Sequence, residues 1–265
     1  MLPRGDGDTS YLRAVKWTLI VPTFNEEDVL ARCLASAADL ADEILVVDSF
    51  STDGTLAIAD KFGARVIQRS YENSASQKNW AIPQATHKWI LLLDADEWLT
   101  PALHDELHHL KSTREANEAG FWIYRANHFL GKRVRFSGWQ GDKVIRLFQR
   151  DLCRYEEKHV HSEIITHGHV GSLKARLNHD TYKGIPAWEA KLRRYAAWQA
   201  QDYDGRTGEL GFYHYWIKPG YRFFKHFVLR GGFLDGHIGM KVSSYAAWAV
   251  RLRYEALAQY REQKK

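Results

Sequence analysis

Two carboxylates one residue apart close an uninterrupted apolar run: Trp89-Ile90-Leu91-Leu92-Leu93 leads straight into Asp94-Ala95-Asp96-Glu97. An apolar run without alternation is the pattern of a strand covered on both faces, as in parallel α/β sheets. Aspartates belong at the C-terminal edge of such a strand, where open α/β sheets place their ligands. A pair of hard oxygen donors there suits Mg²⁺ or Mn²⁺ shared with the phosphates of a substrate. Spacing alone is a weak signal, because Asp6-Gly7-Asp8 and Asp202-Tyr203-Asp204 repeat it, and about one such triplet is expected by chance at ordinary aspartate content. Only the middle triplet ends a buried strand.

The elements around it repeat a strand and helix rhythm. Trp17 to Val21 is an apolar strand that runs into Pro22-Thr23-Phe24-Asn25-Glu26, and a helix follows with acids at Glu26, Glu27 and Asp28 and an apolar stripe through Val29, Leu30, Cys33, Leu34 and Ala37. Ile44 to Val47 is a second strand, ending in Asp48-Ser49-Phe50-Ser51-Thr52-Asp53; capping oxygens precede a helix that Gly63 closes. Arg65 to Gln68 is a third, followed by a short polar helix that carries Gln77, Lys78 and Asn79; Thr100-Pro101 then opens another helix. Four strands alternating with helices predict an α/β fold: a mostly parallel central sheet with helices on both faces. In a parallel sheet the first, second and fourth tips share one edge, so their polar residues form one rim. Neither Gly-x-Gly-x-x-Gly nor Gly-x-x-x-x-Gly-Lys-Ser/Thr is present, which removes the main support for dinucleotide or P-loop binding.

These three tip segments, in this order, resemble family 2 glycosyltransferases of the GT-A fold, inverting enzymes that use nucleotide-sugar donors. The resemblance implies a nucleoside pocket lined by Pro22, Thr23, Asn25 and Glu26, with Asp48 recognising the base and Ser49 and Asp53 beside it; Asp53 also fits the commoner use of aspartate as an N-cap. It further implies that Gln77, Lys78 and Asn79 flank the donor, that Asp94 and Ala95 lie near the ribose, and that Asp96, with Asp94, holds Mg²⁺ or Mn²⁺. Inversion needs a carboxylate as general base, and here Glu163 is favoured, with Asp142 next and Glu156 and Glu157 behind. Arg146-Leu147-Phe148 followed by Val160-His161-Ser162-Glu163 is similar to a pattern in bacterial lipopolysaccharide-core glycosyltransferases, and Gly231-Gly232-Phe233-Leu234-Asp235-Gly236 extends the similarity. The implied donor is a UDP-sugar such as UDP-glucose; the implied acceptor is a saccharide or lipid-linked saccharide. Two rivals remain open, a non-catalytic sugar-nucleotide or carbohydrate-binding protein on the same fold and a nucleotidyltransferase.

The 265 residues divide into a tail (1–16), a nucleotide-sugar-binding half (17–112), an acceptor-side half (113–185) with strands at Phe121 to Arg125, Lys143 to Phe148 and Val160 to Ile165, and a helical C-terminal extension (186–265) with helices from Trp188 to Gln201 and Val242 to Tyr260. Two cysteines make no disulfide framework, and no apolar run approaches the ~20 residues of a membrane span, which suggests a cytoplasmic location. The net charge of +5 gathers partly between Tyr213 and Leu234, where Lys218, Arg222, Lys225 and Arg230 interleave with aromatics and no acid occurs. That mixture suits packing, or peripheral contact with an anionic membrane at its inner face, better than nucleic acid. His159, His161, His167 and His169 would suit sugar or phosphate contacts more readily than Zn²⁺. Oligomeric state leaves no trace in the sequence.

Overall fold

The computed structural model describes residues 15–113, 117–157, 162–181 and 184–264. Four strands build the parallel part of the sheet: β1 (Trp17–Thr23), β2 (Glu43–Asp48), β3 (Arg65–Gln68) and β4 (Trp89–Leu92). β1 sits between β2 and β4, and β3 extends the sheet beyond β2, all in parallel. The register sets Thr23 opposite Asp48 and Ile20 opposite Leu92, and Leu93 N then donates to Ile20 O at 3.0 Å. The three motif-bearing tips therefore emerge along one sheet edge. Their helices are α1 (Leu30–Ala35), α2 (Thr55–Lys61) and α3 (Ser74–Ala81), the last capped by the Asn73 side chain, which accepts from Ser76 N. Glu26 to Asp28, expected in the first turn of α1, form a turn ahead of it, closed by Val29 N and Leu30 N donating to Glu26 O.

β5 (Glu97–Leu99) and α4 (Pro101–Thr113) follow, and Thr100 Oγ1 caps α4 by accepting from Leu103 N at 3.1 Å. The chain continues through β6 (Gly120–Phe129), β7 (Lys132–Arg133), β8 (Lys143–Gln149), β9 (Arg154–Tyr155), β10 (Ile164–Ile165) and β11 (Val170–Asp180). The large sheet has the order β3-β2-β1-β4-β8-β6-β11-β5 with β7 on β6, while β9 and β10 form a separate antiparallel pair. Of the strand expected at Val160 to Ile165, only Ile164–Ile165 is extended among the described residues; Val160 and His161 lie outside them. β11 escaped the sequence reading because its buried anchors, Leu173 and Leu177, stand four apart among polar residues, without strand alternation.

Two compact units share the chain: one comprises the chain up to Ile123 and Ile145–Ala175, the other Tyr124–Val144 and Arg176–Lys265. The first is built on a core of Ile20, Leu45, Val47, Ile90, Leu92 and Phe148 under α3. The second contains α5 (Ile185–Asp204), α6 (Lys218–Phe224) and α7 (Gly236–Gln263), the expected helical extension, longer than the sequence suggested. Its core centres on Trp188, which stacks on Tyr245 with ring centroids 4.3 Å apart and meets Phe129 edge-on at 4.7 Å. Gly239 in α7 is obligatory, because a Cβ there would fall 1.8 Å from the Gly232 carbonyl oxygen. The fold is α/β of GT-A type, a mostly parallel sheet completed by C-terminal helices.

Candidate active site

The β1 and β2 tip loops are laced together by side chains. Ser51 Oγ accepts from Asn25 N (2.9 Å), Thr55 Oγ1 from Glu26 N (2.8 Å), and Asn25 Oδ1 from Thr52 N (2.9 Å). Glu27 Oε2 accepts from Gly54 N at 2.7 Å. Each loop turns through a non-glycine residue in the left-handed region, Asn25 at φ 54° and Phe50 at φ 63°. Asparagine tolerates that conformation, whereas a bulky phenylalanine is a rare occupant that the lacing holds in place.

Above these loops opens a cleft of about 190 Å³. Of the residues expected at the donor site, Pro22, Thr23 and Glu26 supply one wall, and Ser49 the base of another. Gln77 and Lys78 come from α3, and Asp94, Ala95 and Asp96 from the β4 tip. Phe24, Tyr71 and Ser74 complete the lining. Phe24 and Tyr71 were not anticipated; both present more than half of their surface to solvent (56% and 59%), and only Phe24 lay inside a recognisable motif. Gln77 is buried and donates from Nε2 to Ser49 Oγ at 3.2 Å, while its Oε1 has no partner among the described residues.

An ion quartet, buried except at the half-exposed Asp94, lies against the cleft. Lys78 Nζ is 2.7 Å from Asp94 Oδ1, and Arg146, delivered by β8 antiparallel to β4, bonds Asp94 Oδ2 through Nη2. Arg146 also meets both oxygens of Glu97 at 2.8 Å and donates to Tyr155 Oη at 3.1 Å. Glu97 is fully buried and Arg146 nearly so. Two cations and two anions cancel, which is the condition for keeping such groups out of water. Burial disfavours the Lys78 ammonium, but the Asp94 carboxylate outweighs it and holds the lysine above its ordinary value. Arg146 appeared in the sequence only as part of a resemblance; its partners are distant in the chain and carry no shared local pattern.

Four of the donor-site residues do not line the cleft. Asp48 is fully buried beneath it. Its Oδ1 accepts from Thr23 Oγ1 (3.2 Å) and Ser51 Oγ, and its Oδ2 from Ser51 N (2.9 Å) and Gln68 Nε2 (3.0 Å). Burial would raise its carboxyl, yet the donors of Ser51, Gln68 and Thr23 hold it below the usual aspartate value. Asp53 caps the start of α2 by accepting from Thr55 N at 3.0 Å, and Asn25 serves the loop lacing. Asn79 clamps β9, exchanging two 2.8 Å bonds with the Tyr155 backbone.

The two general-base candidates have different surroundings. Asp142 receives a bidentate fork from Arg125 (both bonds 2.9 Å) and a third bond from Asn127 Nδ2 at 2.7 Å. Burial opposes its ionisation, but Arg125 prevails and the carboxyl sits below its usual range. Glu163 is exposed, its backbone carbonyl accepts from Glu156 N at 2.9 Å, and its carboxylate has no partner among the described residues. His159 and His161 lie outside the described residues.

Among the described residues no group of three or more His, Cys, Asp and Glu side chains converges to hold a metal unaided. Asp96, half-buried on the cleft wall, supplies a hard carboxylate, and Mg²⁺-type sites commonly combine one or two carboxylates with substrate phosphates. The residues fit a cation brought in with a diphosphate, and Asp94 already faces two cations of the chain.

The chain is 28% identical over 260 residues to an uncharacterized glycosyltransferase of Rickettsia felis, covering 93% of this chain and 90% of the relative. It is 31% identical over 156 residues, 57% of each chain, to the lipopolysaccharide core biosynthesis glycosyltransferase LpsC of Rhizobium meliloti. Among solved structures, S. aureus TarS 1–349 in complex with UDP-GlcNAc aligns over 94% of this chain and 92% of its own, with 16% identity and a TM-score of 0.47. The family description "Glycosyl transferase family 2" matches residues 18–168. Because that match exceeds half of the sequence and runs through all three strand tips, this chain belongs to glycosyl transferase family 2 and is a glycosyltransferase.

Proposed function

We propose that the chain transfers a hexose from a nucleotide-diphosphate sugar, UDP-glucose being the first donor to test, to a saccharide acceptor with inversion. The observation that carries this reading is the cleft at three strand tips, where Asp96 faces solvent beside a charge-balanced Lys78, Asp94, Arg146 and Glu97. A base would lie between the exposed rings of Phe24 and Tyr71, with its polar edge on Ser49 and the lone acceptor of Gln77. Asp48 acts from below, fixing the Ser49 loop. Asp94 stands near the ribose, and Asp96 is the residue to hold Mg²⁺ or Mn²⁺ together with the diphosphate. Such a cation, when bound, supplies neutralising charge for the departing UDP.

In the transfer the acceptor oxygen attacks the anomeric carbon from the face opposite UDP, the bond to the diphosphate oxygen breaks, and the hydroxyl proton passes to a carboxylate. Glu163 suits that role better than Asp142, whose forked arginine lowers its basicity. The relative named for lipopolysaccharide core biosynthesis supports a lipopolysaccharide-core type of acceptor. A lipid-borne acceptor in turn accords with peripheral attachment at the cytoplasmic face: Phe212, Trp216, Tyr221 and Leu229 are exposed among Lys218, Arg222, Lys225 and Arg230. No helix among the described residues is long and apolar enough to cross a membrane. Incubation with UDP-glucose and a truncated lipopolysaccharide core should release free UDP. The rate should fall by roughly 10²–10⁴ in Glu163→Gln, the usual worth of a general base. Unchanged UDP release in Glu163→Gln would remove that residue from the mechanism, and release of pyrophosphate from a nucleoside triphosphate would favour a nucleotidyltransferase instead.

A further inference from the structure

The second unit holds a cleft of its own, about 340 Å³, lined by Arg125, Arg133, Arg135, Arg176, Trp139 and Gln140 with no acid on its wall. Local structure forces these guanidinium groups together. β7 pairs with β6 so that Arg133 faces His128, and Val134 N continues the pairing to Asn127 O at 2.9 Å. Val134 is buried, so Arg133 and Arg135, two apart on extended chain, turn to the opposite, solvent side. Arg176 of β11 donates from Nη1 to the Arg125 carbonyl at 3.1 Å and lies 5.4 Å over the Tyr124 ring.

Asp142 compensates Arg125 of this lining, and among the described residues the nearby acids leave Arg133 and Arg135 without a carboxylate. Asp142 is spent on Arg125 and Asn127, and Asp235 accepts from Arg135 N, Phe136 N and Ser137 Oγ at 2.9 to 3.0 Å. Arg133 and Arg135 are both exposed, and no ion pair accompanies either among the described residues. Gathering like charges costs stability unless an anion joins them. The remaining lining is suited to a sugar: Trp139 offers an indole beside the arginines, and Gln140, whose Nε2 donates to Arg230 O at 3.3 Å, keeps a buried Oε1 without a partner among the described residues.

We propose that this cleft binds an anionic saccharide, a sugar bearing a phosphate monoester or a carboxylate, with Arg133 and Arg135 on the anion, Trp139 against the ring and Gln140 Oε1 accepting from a hydroxyl. Guanidinium forks match both anions bidentately, and phosphate supplies the greater charge. That this ligand is the acceptor rests on the glycosyltransferase reading; that the cleft binds an anionic sugar does not.

The test is calorimetric titration of the full chain with glucose 6-phosphate, glucuronate, neutral glucose and UDP, repeated on the Arg133→Ala/Arg135→Ala double variant. At least one of the two anionic sugars should bind about tenfold or more tightly than glucose, and the double variant should lose that factor, because charge-assisted bonds exceed the energy of one decade in affinity. Which sugar binds more tightly identifies the anion. UDP affinity and melting temperature should be the same in the variant. Glucose binding as tightly as the anionic sugars, anionic-sugar affinity surviving in the variant, or UDP affinity falling in parallel would each overturn the proposal. Failure of the glycosyltransferase reading would instead show as no UDP binding to the unaltered chain while the anionic sugar still binds.

Discussion

Gln77 and Arg146 stand beside one cleft and do opposite kinds of work. Gln77 is buried with an acceptor oxygen that nothing in the described protein satisfies, so a ligand donor would complete it. Gln77→Leu should therefore weaken UDP binding about tenfold, the value of one lost hydrogen bond to a buried acceptor, while costing at most about 1 kcal/mol of stability, since the lost bond to Ser49 is offset by removal of the unpaired oxygen. Calorimetry and urea unfolding on the same variant check both halves, and a loss of stability with intact UDP binding would make Gln77 purely structural. Arg146 is the reverse case, because it compensates the fully buried Glu97 where water cannot, as well as Asp94 at the cleft. Arg146→Met should destabilise the fold by about 3–5 kcal/mol, the cost of leaving one side of a buried pair unmatched. A urea midpoint close to that of the unaltered protein would show that the quartet is solvated.

At the scale of elements, the sheet edge opposite the cleft is tied by Glu43. It accepts from Thr18 Oγ1 (2.7 Å), Thr86 N (2.7 Å), Thr86 Oγ1 (2.9 Å) and Arg65 Nη2 (2.6 Å), linking β1, β2 and β3. Burial works against ionisation, but these bonds from Thr18, Thr86 and Arg65 draw the carboxyl from 4.5 down to about 2. A carboxyl depressed by folding stabilises fully above its unfolded value and loses that contribution as pH falls towards the folded one. The stability difference between the unaltered protein and Glu43→Gln should thus shrink between pH 4.5 and pH 2. A difference independent of pH in that window would contradict the assignment. β2 and β4 were legible because unbroken apolar runs ending in Asp are local features: Val47 before Asp48, Leu93 before Asp94. The fate of each aspartate was not legible. Asp48 and Asp94 end similar strands, yet one is sealed under four donors and the other sits between two cations, and those partners, Gln68, Lys78 and Arg146, come from other elements. β11 was missed for a related reason, its periodicity being interrupted by polar residues, and within the expected helical extension the wide turns at Tyr213–Ile217 and Lys225–Leu229 carry no regular period.

At the scale of the molecule, the division of the chain is interleaved, since Tyr124–Val144 joins the C-terminal helices rather than its sequence neighbours. Propensity and periodicity describe segments and carry nothing about such pairing. The aromatic and basic stretch from Tyr213 to Leu234 was visible in sequence as composition; the structure adds that Leu229 within it is 61% and Phe212 beside it 70% exposed, which intramolecular packing does not explain. Vesicles containing anionic lipid should co-sediment the protein, and the Lys218→Gln/Arg222→Gln/Lys225→Gln variant should release it, each basic residue contributing about 1 kcal/mol near such a surface. Equal binding to neutral and anionic vesicles would remove the electrostatic component.

We propose that the strand-tip cleft binds a nucleoside diphosphate with a divalent cation at Asp96. Its most direct test is calorimetric titration of UDP with and without Mn²⁺, on the unaltered chain and on Asp96→Asn. The expected result is UDP binding strengthened by Mn²⁺ in the unaltered chain and indifferent to Mn²⁺ in the variant. Mn²⁺ strengthening UDP binding equally in both would remove Asp96 from the cation site.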